Sequence, residues 1–201
     1  MSTPYDTLDN ELEKLKPAVT ALLNNLRLRA MAGRDVRPLK RQVMNIFDEI
    51  DSRAKELFQK VANEYYSVTF KDIDQWLEEY NEVTQYVYKN EWERKTARYF
   101  EILLTFRNTG KSFSSSEMMN AQKRAADLIC LQIDEYGVFS VDKARELSFK
   151  KDGIKRLKWN TQKDKHVCEV CRSRNGKIYD IKNAPGKAHY RCRCYYSEVK
   201  E

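Results

Sequence analysis

Cysteine and histidine spacing constrains this chain more than any other feature. The segment from Trp159 to Tyr196, WNTQKDKHVCEVCRSRNGKIYDIKNAPGKAHYRCRCYY, holds four of the five cysteines and both histidines. Cys168 and Cys171 form a C-x2-C pair, and after seventeen intervening residues His189, Cys192 and Cys194 follow one another closely. A C-x2-C turn sets two thiolates around one ion, and a second cluster returned by a loop completes the tetrahedron that Zn²⁺ prefers. The loop carries its own turn residues, Asn175-Gly176 and Pro185-Gly186.

A region this poor in apolar residues is expected to need a metal or disulfides to fold. From Gly153 onward the large aliphatics are only Ile154, Leu157, Val167, Val170, Ile178, Ile181 and Val199. Ordering a module of this size costs more conformational entropy than that little apolar area returns. Zinc contributes about 10–16 kcal/mol of apparent folding energy in small finger peptides, which closes the gap. The expected metal is therefore structural zinc, held by four of Cys168, Cys171, His189, Cys192 and Cys194. Cys168 and Cys171 belong to any set; His189 with one of Cys192 and Cys194, or both cysteines without the histidine, completes it. On a strand, Cys192 and Cys194 would share one face, with Arg191, Arg193 and Tyr195 on the other. His166 is out of step with the pairing and is expected to be solvated or to support a ligand.

Three other readings are weaker. Two disulfides would leave Cys130 over, and no secretory signal opens the sequence, so a reducing compartment is expected. Buried but unliganded thiols do not account for five clustered ligand types. A catalytic zinc keeps an open position, whereas here ligands outnumber places. Both histidines lie in the metal region, no glycine-rich phosphate loop occurs, and Cys130 sits beside Ile129 and Leu131 as a core thiol. An enzyme is not expected.

The order Trp159-Asn-Thr, Val167-Cys-x-x-Cys171, Asn175-Gly-Lys177, Pro185 and His189-x-x-Cys192-Arg-Cys194 resembles the C-terminal signature of phage minor head proteins, the phage Mu F-like head morphogenesis family. Ala144-Arg145-Glu146-Leu147-Ser148 is similar to a helix that precedes the tryptophan in that family. The similarity covers about residues 114 to 196. Where the family has proline after the histidine, this chain has Tyr190. The resemblance implies a minor capsid protein of a tailed phage or prophage, located in the virion head and, during assembly, in the host cytoplasm. It would act near the portal in head assembly, DNA packaging or delivery. Its implied partners are the portal protein and the major capsid or scaffold protein, with sequence-independent DNA contact as a further candidate. The alternative is a zinc-dependent nucleic-acid-binding protein with no place in a virion, such as a regulator or nuclease accessory.

The remainder of the chain reads as helix. The expected fold is mainly α: an elongated body of about four to five helices over residues 1–139, and over 140–201 a short helix plus a zinc-stabilised α+β module with its metal site within 159–196. Leu8, Leu12, Leu15, Val19, Leu22, Leu23 and Leu26 recur at helical spacing up to Gly33. Val43, Phe47, Ile50, Ala54, Leu57, Phe58 and Val61 form a second seam, close to a 3.5-residue repeat. Thr69-Phe-Lys-Asp72 resembles a capping box for a third helix carrying Ile73, Trp76, Leu77, Tyr80, Val83 and Val87, with a break near Asn90. Ser114 to Ser116 can cap a fourth helix, expected to stop at Gly137, and a fifth is expected from Ser140 to Gly153. IKRLKW, KIYD and YRCRCYY read as short strands. Tyr80, Tyr86, Tyr88 and Tyr99 are expected in the core.

Charge is uneven. Residues 150–201 hold fifteen Lys and Arg against six Asp and Glu, a formal +9, within a whole-chain charge of +7. Lys150, Lys151, Lys155, Arg156, Lys158, Arg172, Arg174, Arg191 and Arg193 are candidate phosphate contacts. No stretch approaches eighteen consecutive apolar residues, so no membrane association is expected.

Overall fold

The computed structural model describes residues 5, 12–69, 77–78, 80–109, 115–162, 167–189 and 191–199. Leu8, residues 70–76 of the proposed cap and third helix, Ser114, His166 and Tyr190 lie outside the described residues, as do the side chains of Tyr86 and Val87.

Among the described residues four long helices form the body: α1 (Lys16–Met31), α2 (Lys40–Tyr66), α3 (Asn90–Thr109) and α4 (Ser115–Lys151). At 37 residues α4 spans about 55 Å, and α1, α2 and α3 all pack against it. The seams read from the sequence are the buried ones. Val19, Leu23 and Leu26 of α1 meet Val43, Phe47, Ile50, Leu57, Phe58 and Val61 of α2 in one core with Ile129, Ile133, Val141 and Ala144 of α4. The irregularity near Asn90 is a π-helical turn, Thr84–Lys89, that leads directly into α3. Tyr80 and Tyr99 are buried, and Tyr88 stacks on Tyr136 with ring centroids 4.4 Å apart.

The expected stop at Gly137 and restart at Ser140 are corrected: α4 runs through both, so the division between 139 and 140 falls inside one helix. Ser140 does not cap. Its hydroxyl lies 2.8 Å from the Tyr80 hydroxyl and donates to the Tyr136 carbonyl one turn back, 3.0 Å away. A serine satisfied in this way is accommodated in a helix interior. Gly137 is buried within the same stretch. The helix ends where a second glycine provides the geometry: Gly153 has φ +62, and Ile154 N–H returns to the Phe149 carbonyl at 3.0 Å. This is the left-handed termination that glycine adopts without steric cost.

Beyond it lies a small antiparallel sheet of β1 (Arg156–Asn160), β2 (Ile178–Asp180) and β3 (Tyr195–Glu198), in the order β2-β1-β3. A six-residue helix, α5 (Glu169–Arg174), sits between β1 and β2. In register, Leu157 faces Tyr179 and Trp159 faces Tyr196, which places these four on one side of the sheet. The protein is thus a mainly helical body with a small C-terminal three-stranded sheet.

Candidate metal centre

The cysteine region forms its own small core. Trp159, Cys171, Cys192 and Cys194 are buried together, flanked by Val167, Cys168, Tyr179, Ala188 and Tyr196. Cys168 is the N-cap of α5, and its sulfur accepts the Cys171 N–H at 3.3 Å. The opposite edge of the knuckle is held by Asn175, whose side-chain oxygen accepts from both the amide (3.0 Å) and the hydroxyl (3.2 Å) of Thr161. Gly176 N–H donates to the Trp159 carbonyl at 2.8 Å, and Trp159 N–H to the Lys177 carbonyl at 2.9 Å. Further round, the Tyr196 hydroxyl donates to the Pro185 carbonyl at 2.7 Å. Arg174 donates to the Gly186 carbonyl at 2.9 Å and lies over the Trp159 ring, 5.3 Å from its centroid.

Five donors converge as two overlapping groups, Cys168–Cys171–His189 and Cys171–Cys192–Cys194, within each of which the ligand atoms lie within 4.8 Å of one another. Cys171 belongs to both. Its sulfur is 3.5 Å from that of Cys192 and 3.9 Å from His189 Nε2. A tetrahedral ion with metal–sulfur bonds of about 2.3 Å separates its sulfurs by about 3.8 Å, so the donors fit a bound metal ion. Electrostatics agree with geometry. Burial and the neighbouring thiols push the Cys171 thiol far up, and burial raises Cys194. Cys168 is lowered, chiefly by the hydrogen bond from Cys171 N–H. Buried thiols held up in this way become thiolates only beside a cation, which a metal ion supplies. One buried donor has no partner among the described residues: the indole nitrogen of Trp159.

The strand expected through Cys192 and Cys194 is corrected. β3 begins at Tyr195, and Arg191 adopts φ +60, which turns the chain into the ligand loop. Both cysteines are nonetheless buried, with Arg193 half-buried between them. Cys130 is half-buried on α4 and belongs to neither donor group; burial foremost raises its thiol.

The candidate phosphate contacts separate into different environments. Lys155, Arg156, Lys158 and Arg172 are exposed. Arg191 is not free: it pairs with Asp134 of α4 at 2.5 Å, and its backbone N–H donates to the Glu135 carboxylate. Lys150 pairs with Glu146 at 3.1 Å, and Lys151 donates to the Ser67 carbonyl at 3.4 Å.

A junction that the sequence did not single out ties the centre to the body. Lys187 Nζ donates to the carbonyls of Cys192 (3.0 Å) and Cys194 (2.5 Å), and also lies 2.9 Å from an Asp142 carboxylate oxygen on α4. One turn on, the buried Arg145 stacks over Tyr195 of β3, 4.6 Å from its centroid, and donates to the Tyr66 hydroxyl at 2.6 Å. Tyr5 completes the cluster, donating to Asp142 at 2.8 Å. Two clefts, of about 470 and 510 Å³, flank Arg145 where body and module meet.

Comparison with known proteins adds no relative: no family model, no curated protein and no solved structure matches the chain. Among the described residues no helix is long and apolar enough to cross a membrane.

Proposed function

We propose that this chain is a minor head protein of a tailed phage or prophage, acting near the portal in head assembly, DNA packaging or delivery, with structural zinc in its C-terminal module. The observation that carries the reading is how the signature residues meet. Thr161 is bonded to Asn175, Gly176 to Trp159, Tyr196 to the Pro185 carbonyl, and Trp159 packs with Cys171, Cys192 and Cys194. The resemblance therefore rests on residues that support one another around one centre, and not on cysteine spacing alone.

Zinc is favoured by a donor set of sulfurs with one imidazole, gathered within 4.8 Å in each of the two groups. Such an ion keeps no open position, so its contribution is to folding, and the reading is structural and not enzymatic. The helical body would dock on the portal and on the major capsid or scaffold protein, and the module would stand on α4 as a rigid unit. The site of action is the virion head.

Quantitative mass spectrometry of particles purified from the source of this sequence tests the proposal. A reproducible few copies per portal ring are expected. Absence from both mature heads and empty precursors overturns it and favours the non-virion nucleic-acid-binding alternative.

A further inference from the structure

Trp159 is fully buried, yet its indole N–H has no acceptor among the described residues. Trp92, the other described tryptophan, is as deeply buried and donates to the Val43 carbonyl at 3.1 Å. A buried indole N–H ordinarily finds a partner, because an orphaned donor carries its whole desolvation cost.

Neither solvent nor a turn of the ring supplies that partner. The nitrogen is closed to solvent. The Trp159 backbone is fixed on β1, donating to the Lys177 carbonyl at 2.9 Å and accepting the Gly176 N–H at 2.8 Å. Tyr196 meets the ring edge-on, with centroids 4.9 Å apart and planes at 83°. Arg174, anchored on the Gly186 carbonyl, lies over the ring at 5.3 Å from its centroid. A cation over an aromatic ring draws on its π electrons, which makes the indole N–H a stronger donor.

The residues buried with this ring are Cys171, Cys192 and Cys194. Two sulfurs of the centre are already served by amides: Cys171 N–H donates to Cys168 at 3.3 Å, and burial raises Cys194 while the Gln162 amide works against that rise. Among the described residues no amide donates to the sulfur of Cys171 or Cys192. Those two sulfurs face each other at 3.5 Å, with His189 Nε2 3.9 Å from Cys171. The thiolates of a cysteine-rich centre outweigh the charge of a divalent ion, and in a buried site the excess is spread onto hydrogen-bond donors around it.

We propose that the Trp159 indole N–H donates to a metal-bound sulfur, that of Cys171 or Cys192, with Tyr196 and Arg174 holding the ring for this contact. Trp159 is then a positioning residue, which draws off thiolate charge and ties the ion to β1. The inference rests on the metal reading of the centre and adds to it a role for the tryptophan.

The test is nuclear magnetic resonance of the full, nitrogen-labelled chain, loaded with zinc and then with an NMR-active cadmium isotope. The Trp159 indole resonance is assigned by its contacts to the Tyr196 ring. Metal loading should move it downfield while the Trp92 resonance stays in place. With cadmium the indole proton should acquire a scalar coupling to the metal, which passes only through an N–H···S–metal contact. W159F should take up as much metal as the native chain, at about tenfold lower affinity, the low end of the loss that removing an outer hydrogen bond brings. Bound metal with neither the coupling nor the shift overturns the proposal and leaves the metal reading standing, and unaltered affinity in W159F overturns it in the same way. A native chain that binds neither zinc nor cadmium overturns both.

Discussion

Lys187 stands between the candidate metal centre and the helical body: its ammonium lies 2.9 Å from Asp142 on α4 while donating to the carbonyls of Cys192 and Cys194. One side chain thus reads the position of two candidate ligands and holds that position against a helix of the body. K187A should leave metal stoichiometry intact but loosen the module from α4. The loss of several charge-assisted hydrogen bonds at a half-exposed site costs about 1–2 kcal/mol. Hydrogen exchange should show faster opening in the 191–199 segment, with the core of α2 unchanged. Unchanged exchange at 191–199 would show that the contact contributes nothing to docking.

Arg145 makes the second link, and its planarity matters. The guanidinium lies over the Tyr195 ring, 4.6 Å from its centroid, and bonds the Tyr66 hydroxyl, a combination that a lysine ammonium cannot reproduce. R145K keeps the charge and loses the geometry. It should destabilise the protein by roughly 2 kcal/mol, measured by chemical denaturation, with the cost removed in a Tyr195→Ala, Tyr66→Phe background where the partners are already absent. Additive losses in that cycle would mean that Arg145 acts through its neighbours on α4 instead.

The parts of this structure that were legible in the sequence are local ones. The seams of α1 and α2 follow from apolar spacing, the end of α4 from Gly153, and the cluster of ligands from the C-x2-C pair and its distant complement. What was not legible depends on partners remote in sequence. Ser140 looked like a cap because its actual partner, Tyr80, is 60 residues away. Arg191 looked like a free cation because Asp134 on α4 neutralises it only in three dimensions. Arg145 and Tyr5, separated by 140 residues, give no local signal that they meet. Basic composition alone therefore overstated the free charge near the cysteines.

Single substitutions will decide which donors bind. Cys171 is common to both groups, so Cys171→Ser should abolish metal binding and unfold the module, whichever set is used. His189 is exposed, whereas Cys192 and Cys194 are buried. If the two cysteines complete the site with the C-x2-C pair, His189→Ala retains one equivalent of zinc, and Cys194→Ser loses it. The reverse result assigns the imidazole to the ion. Zinc content by elemental analysis and module folding by near-ultraviolet circular dichroism read the two outcomes separately. Since bound zinc supplies about 10–16 kcal/mol in comparable small modules, a strong chelator should melt this one while the helical signal of α1–α4 persists.

Metal affinity should also rise with pH, and the thiol environments give the sign. Burial and neighbouring thiols raise Cys171, and burial raises Cys194, so both carry protons at neutral pH in the metal-free protein. Binding converts them to thiolates and must release those protons. Mass action then makes the apparent affinity increase about tenfold per pH unit for each proton displaced, in the range below the raised thiol values. Cys168, lowered by the Cys171 N–H, displaces fewer. Titration calorimetry in buffers of different ionisation enthalpy counts the protons directly. Two or more per zinc ion are expected near pH 7; fewer than one would mean that the buried cysteines are already ionised, and that the ion enters a site prepared by some other positive charge.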